Sequence, residues 1–175
     1  MKRGPISYFA YGSNLDIAQM KERIGDCVVP KSAKLTGYQL AFNKKSQERH
    51  CGVANLVYTG NPADAIEGMI YQISEEQLHE LDMHEGFEIN TPEKNPEGYK
   101  RQEITLADGS KAIAYIANVR NANSSLKPNA AYMKLLLSAR KNGFISEGYF
   151  NKLLDVELQE GIKVREVINA QPSKK

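Results

Sequence analysis

Two short stretches hold residue types suited to chemistry. The first is Tyr11-Gly12-Ser13-Asn14, which closes the apolar run Ile6-Ser7-Tyr8-Phe9-Ala10 and precedes a helical pattern. Glycine lets the backbone approach a ligand closely. A loop leading into a helix presents amide N–H groups that lack intrahelical partners and carry partial positive charge. Such amides hold a carboxylate or a developing oxyanion, and Ser13 and Asn14 add side-chain hydrogen bonds. The same four residues also make a plain turn, with Gly12 bending the chain and Asn14 capping a helix. Their spacing alone does not separate the two readings.

The second stretch is Leu81-Asp82-Met83-His84-Glu85-Gly86. At roughly 100° per helical residue, Glu85 stands about 20° from Leu78, and Leu81 lies within about 60° of both. Glu85 therefore continues an apolar stripe. Burying a carboxylate is costly, and desolvation raises its pKa, which suits a proton shuttle near neutral pH. If the helix ends before Glu85, the side chain is simply exposed. Asp82 is a competing acid on the same segment, with a structural role as its plainer reading. Tyr132, on the apolar stripe of a later helix, and Tyr99, at the start of a strand, are either core residues with a satisfied hydroxyl or walls of a pocket. There is no Gly-x-Ser-x-Gly elbow, no phosphate-binding glycine loop and no dinucleotide fingerprint.

The elements that must position these residues can be read in order. A buried strand at 6–10 is followed by a helix at 15–24, with Ile17, Met20 and Ile24 on one face and Lys21, Glu22 and Arg23 mostly off it. Asn14 is the expected N-cap and Gly25 the stop. Strand-like runs follow at 33–43, 53–59 and 66–73, with 44–52 a polar loop and 60–64 a turn. A helix at 74–85 opens on the capping-box pair Ser74 and Gln77. Residues 87–98 read as a surface loop. A hairpin at 99–106 and 111–118 turns on Asp108-Gly109. After a polar connection at 119–128, one helix carries Tyr132, Leu135, Leu136 and Ala139 and ends at Gly143. Another starts at Ser146, and a weak Val164/Val167/Ile168 pattern frays or caps the sheet. About six strands joined mostly by hairpins, with few helices, favour an α+β domain built on a curled sheet or small barrel.

The chain has 175 residues, enough for one domain that buries roughly 70% of its unfolded surface. The expectation is a single domain over 1–175, with 160–175 a charged C-terminal extension. Net charge is +2, from 23 basic and 21 acidic residues, which argues against nucleic acid as a partner. Cys27, Cys51 and the three histidines show no metal-type or redox-type spacing, so no metal is expected. No apolar stretch approaches the roughly 20 residues that span a bilayer, and no secretion signal precedes the first strand. A cytoplasmic protein with no membrane partner is expected.

In combination these stretches resemble the gamma-glutamylcyclotransferase-like (AIG2-like) superfamily. The resemblance rests on Tyr8-Phe9-Ala10-Tyr11-Gly12-Ser13-Asn14-Leu15, on Gly52-Val53-Ala54-Asn55, on Leu81-Asp82-x-x-Glu85-Gly86, and on Tyr99-x-Arg101. Pro128-x-x-x-Tyr132, Asn142-Gly143 and Tyr149 with Leu153 complete it, so that it covers roughly 6–155. It implies a small mixed β-barrel flanked by helices, with a cavity where the Tyr11–Leu15 loop faces a catalytic Glu85. It implies substrate contacts from Tyr11, Gly12, Ser13, Asn14, Leu15, Tyr99 and Tyr132. It further implies release of 5-oxoproline from a gamma-glutamyl amino acid or gamma-glutamyl amine by intramolecular amine attack, without a cofactor. The alternative it allows is a non-catalytic protein that binds a small carboxylate in the same cavity. The long polar segment 87–98 departs from the pattern and bears on the pocket entrance.

Overall fold

The computed structural model describes residues 4–26, 29–87, 98–117 and 123–170. Its centre is β1 (Ile6–Ala10), whose Phe9 and Ala10 are fully buried. Four further strands join it in one sheet: β2 (Lys31–Thr36), β5 (Ala65–Ile73), β6 (Tyr99–Thr105) and β7 (Lys111–Ala117). The order is β2-β5-β1-β7-β6. β1 runs antiparallel to β5 and parallel to β7. Tyr8 sits opposite Tyr71 in the β1–β5 register, and their rings stack at 6.3 Å, a cross-strand pair that helps fix that register.

β3 (Tyr38–Ser46) and β4 (Cys51–Tyr58) form a separate two-stranded hairpin. It is tied to the sheet through a side chain, since Asn55 Oδ1 accepts from the Ala117 amide at 2.9 Å. The expected barrel is not closed by the described ladders. β2 and β6 are the edges of an open sheet, and the hairpin contributes no backbone ladder to either edge. Residues 33–43, expected as one strand, are two. Gly37 takes a φ of 79°, open to glycine and rarely to other residues, and there the chain leaves the sheet for the hairpin. Residues 44–52, expected as a loop, are mostly strand, with Lys44 and Lys45 opposite Val53 and Gly52. The polar composition misled because β3 is partly exposed along its length, without buried–exposed alternation.

The helices are placed by their caps. α1 (Ile17–Ile24) buries Met20 and Ile24 and stops at Gly25. Its N-cap is Asp16, whose carboxylate accepts from the Gln19 amide at 2.9 Å. Asn14 is not the cap: it lies two residues earlier, in a single 3₁₀ turn, Ser13–Leu15. α2 (Glu75–Glu85) opens on the expected Ser74/Gln77 capping box and ends at Gly86, φ 66°. That left-handed cap stops the helix directly after Glu85. α3 (Ala130–Lys141) and α4 (Glu147–Leu154) start at Asn129 and Ser146. α5 (Val164–Asn169) packs mainly on α3 and α4. Much of the loop expected at 87–98, part of the connection expected at 119–128 and the last five residues lie outside the described residues. Among the described residues, no helix is long and apolar enough to cross a membrane.

Candidate active site

β1 and β7 are parallel, so their C-terminal ends lie side by side. At that end the chain after Ala10 turns through Tyr11-Gly12-Ser13-Asn14, the hairpin supplies Ala54, and α2 delivers Glu85. These residues, with Tyr8, Tyr99, Tyr115 and Tyr132, line one narrow cleft of about 30 Å³. A wider chamber of about 90 Å³ shares Ser13, Glu85, Tyr99 and Tyr132 with it and adds Arg23, Lys44, Arg49 and His84.

Glu85 is the acid of this cleft. Only 13% of its side chain is exposed. Its Oε1 accepts from Arg23 Nη1 at 3.1 Å and from Asn14 Nδ2 at 3.3 Å. Burial pushes its pKa above the ordinary carboxylate value, against the opposing pull of Arg23, Lys44, the Asn14 hydrogen bond and His84. Asn14 is the hub of this arrangement. It is 3% exposed. Its Nδ2 also donates to the Tyr8 hydroxyl at 2.8 Å, and its Oδ1 accepts from Arg23 at 3.0 Å and Gln19 at 3.2 Å. Its carbonyl accepts from the Tyr71 hydroxyl at 3.0 Å. The amide orientation is thereby set by two donors on one side and two acceptors on the other.

The tyrosines differ in what their hydroxyls offer. Tyr11 donates to the Tyr115 carbonyl, and Tyr99 to the Ala54 carbonyl at 2.6 Å. Tyr132 instead accepts from the Ala54 amide at 2.9 Å, which leaves its own proton for an acceptor in the cleft. Burial raises the hydroxyl pKa of Tyr8, Tyr11, Tyr99 and Tyr132, so all four are neutral at physiological pH. The amides of Ser13 and Asn14 precede the first bond of the 3₁₀ turn, Leu15 N to Gly12 O at 3.0 Å.

Asp82, one helical turn before Glu85, has a different role. It is 1% exposed. Arg101 grips both its oxygens, and the Tyr115 hydroxyl donates to it at 2.7 Å. This clamp ties the end of α2 to β6 and β7 and so fixes where Glu85 stands.

Of the residues expected to act, Tyr11, Gly12, Ser13, Asn14, Glu85, Tyr99 and Tyr132 meet at the cleft. Leu15 does not: it is fully buried in the core and does not line the cleft. Arg23, read as off the apolar face of its helix, is 14% exposed at the side chain and paired with Glu85. It stands about 60° from Met20, near enough to the buried face to reach inward. Tyr8, Ala54 and Tyr115 also line the cleft without having been singled out for it. The spacing of Tyr8 marks it as buried but carries no sign of its hydrogen bond. Among the described residues no three His, Cys, Asp or Glu side chains are grouped to hold a metal.

Gly12 is closely packed against the cleft wall. A Cβ there would stand 3.2 Å from both the Ala54 Cβ and the Tyr132 hydroxyl. Gly12→Ala is expected to destabilise the fold by about 1 kcal/mol and to narrow the cleft. Thermal denaturation and the affinity for any cleft ligand check the two effects separately.

A family model described as "Gamma-glutamyl cyclotransferase, AIG2-like" matches residues 8–134. A bovine (Bos taurus) gamma-glutamylcyclotransferase is 28% identical over 156 residues, covering 86% of this chain and 78% of that protein. The mouse (Mus musculus) gamma-glutamylcyclotransferase is 26% identical over 158 residues, covering 87% and 79%. A solved structure described as gamma-glutamyl cyclotransferase superposes with a TM-score of 0.74 over 95% of this chain and 99% of its own, at 23% identity. That last likeness is one of fold.

Proposed function

Because the chain belongs to the gamma-glutamyl cyclotransferase, AIG2-like family, we propose that it is a cofactor-independent enzyme that cyclises gamma-glutamyl compounds to 5-oxoproline, with Glu85 as the proton carrier. The observation that carries the reading is the placement of Glu85. A carboxylate of raised pKa is held by Arg23 and Asn14 in the same cleft as the Tyr11–Asn14 loop.

The chemistry is balanced by proton movement alone. The substrate's α-amine, once unprotonated, attacks its own γ-carbonyl carbon. A C–N bond forms and the carbonyl oxygen becomes an oxyanion. Glu85 takes the proton that the amine sheds and returns it to the nitrogen of the scissile amide. That C–N bond breaks, leaving 5-oxoproline and a free amine. The Ser13 and Asn14 amides and the Tyr132 hydroxyl are the donors for the substrate carboxylate and the oxyanion, a contribution of about 3 kcal/mol per well-placed donor. Holding amine and carbonyl face to face contributes more. A cleft of about 30 Å³ has room for little more than water. Seating a gamma-glutamyl group therefore requires the side chains at the mouth to part.

Incubation with a panel of gamma-glutamyl dipeptides and amines should release 5-oxoproline. Binding of the panel without release would support the carboxylate-binding alternative instead. The pH dependence carries a further prediction. Glu85 must be ionised to accept the proton, so kcat/KM falls as pH drops through its raised pKa. Arg23 opposes that rise. Arg23→Gln is therefore expected to move the acid limb of the kcat/KM profile to higher pH, and an unmoved limb would count against Glu85 as the titrating group.

A further inference from the structure

We propose that Gln19 and Arg49 are positioning residues that fix the orientation of the Asn14 carboxamide and thereby hold Glu85 ready to accept a proton. For its catalytic consequence the inference rests on the cyclisation reading above; its geometry stands alone. Neither residue lines the narrow cleft. They form a relay of hydrogen bonds that runs in one direction. Arg49 Nη2 donates to Gln19 Oε1 at 2.7 Å, Gln19 Nε2 donates to Asn14 Oδ1 at 3.2 Å, and Asn14 Nδ2 donates to Glu85 Oε1 at 3.3 Å. A guanidinium has donors only, whereas a carboxamide has an acceptor at one end and donors at the other. Arg49 therefore dictates which end of Gln19 faces it. Gln19 passes the same polarity to Asn14, and the donor end of Asn14 is left toward Glu85.

Both residues of the relay are anchored. Gln19 sits in the first turn of α1, where its amide donates to the Asp16 cap at 2.9 Å. The Arg49 amide donates to Ser46 Oγ at 3.1 Å, its carbonyl accepts from Asn129 Nδ2 at 3.0 Å, and its guanidinium lies 5.5 Å from the centre of the Tyr132 ring. Arg23 also donates to Asn14 Oδ1, but through the same Nη1 that contacts Glu85. That contact therefore answers to the charge on Glu85, whereas Gln19 is tied to Arg49, outside the ion pair. The relay is the brace that keeps Asn14 from turning while Glu85 gains and loses a proton. Without it the carboxamide is free to turn and set Oδ1 against the carboxylate. A donor to the charged form is then lost and two acceptors are opposed, and both effects favour protonated Glu85. Glu85 is faced as well by Arg23 from α1, Lys44 from β3 and His84 of its own helix. Glu48 lines the chamber beside it, and the hydroxyls of Tyr8, Tyr11, Tyr99 and Tyr132 are neutral there. A neutral substitution at position 19 leaves all of these charges as they are.

The test follows the pH titration of the Asn14 side-chain amide signal by NMR, which reports the ionisation of Glu85 and needs no turnover. Gln19→Met keeps the side-chain length and the helix propensity but cannot donate to Asn14. It should raise the titration midpoint by about half a pH unit, the weight of a modest hydrogen bond. The acid limb of the kcat/KM profile should move with it, so that kcat/KM below the midpoint falls about threefold. Among the described residues Arg49 has no hydrogen bond to Asn14 or Glu85, so Arg49→Met should act through Gln19. The shift it causes in the wild-type background should shrink when position 19 is already Met. A midpoint unmoved by Gln19→Met overturns the relay. An Arg49→Met shift of the same size in both backgrounds also overturns it, since that is the signature of a charge acting through space. If no gamma-glutamyl compound of the panel yields 5-oxoproline, the cyclisation reading fails, and the amide titration still decides the relay.

Discussion

Glu85→Gln should lower kcat by roughly 10²- to 10⁴-fold, the usual weight of a positioned general acid–base, with little change in KM. On the proposed mechanism the substitution removes the proton carrier but leaves an oxygen that can still accept from Arg23 and Asn14, now 3.1 and 3.3 Å from Oε1. The fold should survive. Burial raises the native pKa of Glu85, so the native state binds this proton more tightly than the unfolded chain does. The contribution of Glu85 to stability is therefore greatest at low pH and declines as pH rises through the native pKa. Its neutral replacement escapes that decline. Melting curves should show the variant gaining on the wild type as pH rises, while 5-oxoproline release is lost. Turnover at the wild-type rate would remove Glu85 from the mechanism.

The second large effect is structural. Arg101→Ala should destabilise the fold by about 3 kcal/mol, because it strands the carboxylate of Asp82 in the core, and breaking one side of a buried ion pair costs roughly that much. Asp82 is 2% exposed at the side chain and Arg101 26%, so the loss falls on the more deeply buried partner. The Tyr115 hydroxyl still donates to Asp82 and keeps the penalty at the lower end. For a chain of this length that is a fall in melting temperature of roughly 6–12 °C. Asp82→Asn, which removes the charge and leaves an acceptor, should cost less. If Arg101→Ala melts with the wild type, the clamp is not what holds α2 to the sheet.

How much of this was legible beforehand depended on the range of the interaction. Glu85 could be found because its cause is local: a stripe repeating on one helix, opened by Ser74 and closed by Gly86. The loop at 11–14 was equally visible, since a glycine after an aromatic strand is a local signal. The partners of these residues were not. Arg23 meets Glu85 across 62 residues, and nothing in the spacing of α1 distinguishes an arginine that reaches inward from one in solvent. Asn14 has the residue type of a cap as well as of a site residue, and its spacing carries no sign of which role it takes. Asp16 caps α1, and Asn14 is left to join Tyr8, Gln19, Arg23 and Glu85. The hairpin β3–β4 misled for a different reason. A strand that is partly exposed throughout loses the alternation by which strands are recognised, so its polar half read as a loop.

The cleft is assembled from points widely scattered along the chain. Asn14 and Glu85 are 71 residues apart, Ala54 and Tyr132 are 78 apart, and Tyr11 and Tyr115 are 104 apart. Closing loops of that length belongs to the slow part of folding. During synthesis the segment that bears Asn14 leaves the ribosome long before Tyr132 does. No nascent fragment ending before α3 can hold a finished cleft, so catalytic competence should arrive late and together with the tertiary fold. The recovery of activity on refolding from denaturant would then report the completed chain and not its early parts.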